Sequence, residues 1–343
     1  MIAQTSPMDE ISDPPPIDEL TRRLRDGPHD GVYKLLRAYH HADAERRKGL
    51  VRNVRSLAME QPAAVSPVVA ELSRFLTDEQ RAVRLTTAKL FVTLAKADPD
   101  SVVSVVDELA DRLGDEAEFY YVRARSAEAV GYVAVEHPAG VITPTVLAEL
   151  RIGLSFDEPE VTEKLSKALA YIALGNPRRL RHHVSTLGEH LDDENELVRY
   201  HLGTAIVSVG CEYPEVLSEV IAPLSARLDD ESPHVRGRAA EALGLFVRVA
   251  PDTPSFPDKQ LETMVERSEE LFAIERGRFA LARGEESIPP ADGADGIGSL
   301  DGIREQTDEI VDEITSPAGE CPHCGLALSE GGPLMCPRCG VPY

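Results

Sequence analysis

The chain has 343 residues, 42% of them hydrophobic, but only 5% are aromatic and Trp is absent, so any core must be aliphatic. No run approaches the roughly 18 uncharged apolar residues of a membrane-spanning helix. Fifty-nine acidic residues against 36 basic ones give a net charge of −23, which disfavours non-specific binding to nucleic-acid phosphates.

Residues 1–16 (MIAQTSPMDEISDPPP) have neither a basic start nor an apolar stretch, so they are expected to form a disordered tail and not a secretory signal. Residues 17–252 carry an internal repeat. Its clearest copies are 81–99, 120–138, 159–177, 196–214 and 233–251, with a weaker one over 46–62. In the five clear copies a Val stands 16 residues before a Pro: Val83 and Pro99, Val122 and Pro138, Val161 and Pro177, Val198 and Pro214, Val235 and Pro251. Including Pro62, the prolines recur at intervals of 37, 39, 39, 37 and 37 residues. After each Val, small or apolar residues recur at helical spacing, such as Ala240, Leu243 and Val247. Pro cannot continue a helix, so it punctuates each copy. A second apolar stripe precedes each Val, as in Val102, Val106, Leu109 and Leu113. Between the two stripes lies an acidic turn (TDEQ, GDEAE, FDEP, LDDEN, LDDES), whose Asp is expected to cap the second helix.

These features resemble the HEAT family of two-helix repeats, close to its short-repeat branch that includes the bilin lyases; the resemblance covers about 27–252. It implies an all-α solenoid of about six helix pairs. In that family an Asp of the turn and an Arg opening the second helix form a ladder between neighbouring repeats. Asp78 and Arg84, Asp193 and Arg199, and Asp230 and Arg236 fit this, while Thr162 and Arg46 depart from it. The acidic surface also resembles that of cytoplasmic proteins of salt-accumulating halophilic archaea, since only seven of the basic residues are Lys. A cytoplasmic location is expected on that ground.

After the repeat, 253–283 is expected to cap the solenoid with one long helix over 258–283, whose stripe is Leu261, Met264, Val265, Leu271 and Phe272. Residues 284–320 hold eleven acidic residues and one Arg, and read as an acidic linker. Within it, Leu300, Ile303, Ile310 and Ile314 align as a docking helix or tether. The last segment, 321–343, holds two C-x-x-C knuckles, Cys321–Cys324 and Cys336–Cys339, each followed by Gly. Four thiolates suit one tetrahedral Zn²⁺ in a closed, structural site, and the segment resembles a short zinc ribbon. Rubredoxin-type iron uses the same knuckles but in a longer, aromatic-rich domain.

Catalytic motifs are missing: there is no G-x-x-x-x-G-K-[ST], no G-x-S-x-G and no His-Glu dipeptide. The expected function is therefore that of a non-enzymatic scaffold for protein partners, without a membrane. The rivals are a nucleic-acid factor acting through the ribbon, and a lyase-like or regulatory enzyme of the HEAT class. Phe119, Tyr120 and Tyr121, clustered at one turn, are expected to form a partner-binding patch. Cys211 reads as a small hydrophobe, and the histidines 182, 183, 190 and 201 as surface residues.

Overall fold

A computed structural model describes residues 14–27, 31–141, 143–156, 158–254, 256–282 and 296–315. Among these residues the regular structure is entirely helical, and no helix is long and apolar enough to cross a membrane. The chain divides into two compact units, Met1–Gly153 and Leu154–Tyr343.

The first unit opens with α1 (Ile17–Asp26), α2 (Val32–Tyr39) and α3 (Ala44–Glu60). Two further groups follow the same plan. In one, α4 (Pro62–Val65) and α5 (Val69–Leu72) lead into α6 (Arg81–Ala97). In the other, α7 (Pro99–Val102) and α8 (Val106–Gly114) lead into α9 (Tyr120–Glu136), after which come α10 (Pro138–Val141) and α11 (Pro144–Gly153). The 17-residue helices α3, α6 and α9 pack side by side as a stacked layer, and the shorter helices cover one of its faces. Leu50, Val54 and Leu57 of α3, with Leu90, Phe91 and Leu94 of α6, are buried beneath this cover.

The second unit repeats the scheme. Its stacked layer is α12 (Pro159–Gly175), α14 (Glu196–Glu212), α16 (Pro233–Val249) and α18 (Leu271–Leu281). Its cover includes α13 (Val184–Glu189), α15 (Ile221–Ala226) and α17 (Asp258–Arg267), with short 3-10 turns between them. A last helix, α19 (Leu300–Thr315), belongs to neither row.

Three features differ from the sequence expectation. First, the repeat prolines do more than stop a helix. Pro62, Pro99 and Pro177 each open the next short helical turn, where the missing N–H is no loss and the fixed φ is already helical. Each copy therefore has a short leading turn, a cover helix and a long helix. Second, the turn Asp generally does not cap the long helix. Asp78, Asp115, Asp193 and Asp230 accept the N–H two residues on, closing a tight turn. The caps themselves are Asn195 and Ser232, with Asp43 the exception at α3. Third, the long helix expected over 258–283 is broken. Ser268 is extended (φ −72°, ψ 139°), so α17 and α18 fold as a further pair. Leu271, expected on the apolar stripe, is thereby left exposed.

The arginine ladder is present at several joints. Arg47 forms a two-pronged pair with Asp78 at 2.6 and 3.0 Å, Arg84 with Glu118 at 2.7 and 2.8 Å, and Arg199 with Asp230 at 2.8 and 2.9 Å. Each Arg thus grips the acid of the next turn. Arg84, Arg199 and Arg236 also donate to the carbonyls of Asp78, Asp193 and Asp230 in their own turns. Such planar pairs fix orientation as well as charge. Arg47 supplies the rung in the weak first copy. Thr162 instead bonds back to the Glu158 carbonyl.

Candidate interaction surfaces

Each stacked layer has two faces. One lies under the cover helices; the other, here called the far face, is turned away from them. In the second unit α19 lies against that far face. Its apolar side carries Ile303 and Ile310, both buried, and Ile310 clusters with Tyr200 and Val235 while Phe272, Val311 and Ile314 pack against them.

Polar contacts fix the register of α19. The Tyr171 hydroxyl donates to Asp308, Arg304 donates to the Leu174 carbonyl at 3.1 Å, and Arg276 donates to Gln306. His234 meets Glu313 at 3.1 Å. Four stacked helices therefore hold one segment, through both apolar and polar groups.

Under this segment lies a buried charge network. Glu241, fully buried, accepts from Arg238 at 2.8 Å, from Arg276 at 3.0 Å and from the Gly298 backbone N–H at 2.8 Å. Burial alone would raise its pKa, but the two guanidinium groups and the N–H outweigh it and hold Glu241 below the usual carboxylate range. Arg238 also donates to the Tyr200 hydroxyl at 3.2 Å, and Arg276 stacks 3.4 Å above the Phe272 ring. The turn leading into α19 needs glycine twice, since Gly296 and Gly298 have φ of 107° and 75°.

In the first unit, the far face of α3, α6 and α9 has no such helix among the described residues. Lys48, Arg52, Arg55 and Met59 follow one another at spacings of four, three and four along α3, on the side away from its core. Lys89 and Arg125 continue the patch on α6 and α9. Burial, with the nearby Arg125, lowers the pKa of Lys89 and of Arg55. Arg125 is paired with Glu128 at 2.7 Å. This stripe was not among the features expected from the sequence, though its helical spacing is visible in a chain with only seven Lys.

Phe119, Tyr120 and Tyr121 come together at the start of α9, with ring centroids 4.6–5.3 Å apart. All three are half-buried, and Arg81 lies 4.6 Å from the Phe119 ring. Cys211 is half-buried on α14, where burial pushes its thiol up to about 12. No group of His, Cys, Asp and Glu among the described residues is arranged to hold a metal. Cys321, Cys324, Cys336 and Cys339 lie outside the described residues.

No protein-family model and no curated protein matches this sequence. Solved structures do share its fold. A designed armadillo repeat protein is 20% identical, with a TM-score of 0.53 over 62% of this chain and 98% of its own. A second designed armadillo protein, in complex with the peptide (KR)4, is 19% identical, with a TM-score of 0.52 over 62% of this chain and 98% of its own. An engineered protein matches 88% of this chain and 80% of its own, at 17% identity and a TM-score of 0.59. At these identities the likeness is one of fold: a helical repeat of the armadillo and HEAT type.

Proposed function

We propose that the chain is a protein-interaction scaffold whose stacked helices hold peptide segments on their far face. One observation carries this reading: α19 lies across α12, α14, α16 and α18 as a bound helical segment would, tied at both its apolar and its polar side chains. The designed armadillo protein in complex with a (KR)4 peptide supports a peptide-holding role for a layer of this fold. In the second unit the face carries an occupant from its own chain, so a partner segment there must compete with α19.

The test is binding in trans. A chain ending before Gly296 is titrated against a fluorescently labelled peptide of residues 296–315. The reading expects one peptide per chain, and binding weaker by about tenfold or more for a peptide carrying Ile310→Asp, since burying a carboxylate among Tyr200 and Val235 is costly. A truncated chain that keeps its helical circular dichroism yet ignores the peptide would sink the proposal.

The second part of the proposal is a structural zinc module. Its support is the donor set: Cys321, Cys324, Cys336 and Cys339 form two C-x-x-C knuckles, each with a Gly to permit the turn. Four soft thiolates fill a tetrahedral shell, so the metal would fold the segment and leave no position for a reacting water.

A further inference from the structure

We propose that the far face of α3, α6 and α9 is a docking site for an acidic peptide segment of a partner protein, with apolar side chains between its carboxylates. The proposal rests on the scaffold reading and gives it a partner class.

A chain of net −23 has seven Lys, and three of them, Lys48, Lys89 and Lys96, stand on these helices. Arg52 and Arg55 join Lys48 on the same stripe of α3. Among the described residues, neither Arg55 nor Lys89 has a carboxylate partner, although the ladder arginines are paired at several joints. The Arg55 Nε is buried and makes no hydrogen bond. Arg125 has Glu128 at 2.7 Å, yet it still acts as a like charge on both Arg55 and Lys89, as Arg55 does on Lys89. Like charges held together on a half-buried face are relieved by an incoming anion, and the gain is larger there than in open water.

Shape and polarity narrow the class. Met59, at the end of the cationic stripe, is 68% exposed, and Leu85 and Val92 of α6 are half-buried. Apolar surface between cations suits an amphipathic acidic segment. The chain shows the same chemistry on its other unit, where α19 presents isoleucines among carboxylates. Nucleic acid fits less well. A long polyanion must also meet the rest of a strongly acidic molecule, whereas a short peptide meets only the patch.

The test uses the full chain and two fluorescein-labelled helical peptides. One alternates Glu pairs with Leu on successive turns; its twin has Lys for every Glu. Anisotropy is read in about 0.1 M and about 1 M KCl. The expected result is binding of the Glu peptide, weaker at high salt, and none of the Lys twin. The double variant R55A/K89A should weaken it by about tenfold or more, R55K/K89R should retain it, and K259A, on the other unit, should leave it unchanged. Circular dichroism confirms that each variant is folded. Undiminished binding to R55A/K89A overturns the proposal, as does equal binding of the Lys twin. So does an oligothymidine that binds this face more tightly than the Glu peptide, or a dimer of the chain that R55A/K89A abolishes. The face and the peptide differ from those of the trans-binding experiment, so each proposal can fail while the other stands.

Discussion

Glu241 shows how a single residue can hold a surface together. Its carboxylate is shared by Arg238, Arg276 and the Gly298 N–H, and it has no exposure to solvent. Removing it leaves two buried guanidinium groups without their counter-charge. Glu241→Ala is therefore expected to lower stability by about 3–5 kcal/mol, read as a shift of the urea midpoint; a change under about 1 kcal/mol would show that the network contributes little to the fold. Titration adds a second expectation. His234 is half-buried against α19, and burial lowers its pKa from 6.5 despite Glu313; His40, stacked on Phe75, is lowered for the same reason. Both histidines take up a proton more readily when unfolded, so stability is lost as pH falls through 6.5 and below. The melting temperature should drop between about pH 7.5 and 5.5, and H40F/H234Q should flatten that slope. An unchanged slope would remove these two groups from the account. At this scale the sequence is only partly legible. The ladder arginines Arg84 and Arg199 can be read from their spacing, but Glu241 looks like any helical carboxylate with an Arg three residues before it, because its other partners are Arg276 on α18 and a glycine 57 residues away.

Among the elements, α19 depends most on how it is entered. Gly298 has a φ of 75°, and a Cβ there would lie 2.7 Å from Phe279. Gly298→Ala is expected to cost about 1 kcal/mol or more in backbone strain alone, and the whole cost falls on docking. The Arg304 side chain is already exposed, but α19 around it should then open more often, with tryptic cleavage after Arg304 faster by about tenfold. Cleavage at the parental rate would mean that the turn does not control docking. The long helices are legible because their apolar spacing repeats in copy after copy. The α17–α18 break is not, since Ser268 and its acidic neighbours carry neither Pro nor Gly. The function of the turn Asp is half-legible: an acid is expected there, but it closes the turn and leaves capping to Asn195 and Ser232. The helix over 300–315 can be read from its isoleucines, whereas the surface it packs on is a tertiary fact.

On the scale of the whole molecule, the repeat period and the all-helical class are legible in the amino-acid sequence alone. The partner surfaces are not, because a far face is defined only once helices from separate repeats stand side by side. The Cys module is a separate matter, and its expected behaviour is separable too. One Zn²⁺ per chain should be found by metal analysis, and chelation should leave helical circular dichroism nearly unchanged, because the metal serves only the last segment. Loss of most helicity on chelation would tie the metal to the repeats and contradict that division. The central claim, that a stacked layer holds a peptide segment on its far face, is tested most directly by hydrogen exchange on the unmodified full chain. The account predicts that amides of Ile303, Thr307 and Ile310 in α19 are protected at least about a hundredfold over an unstructured peptide, approaching the protection of α14 beneath them. Exchange at the rate of an unstructured peptide across 300–315 would contradict it.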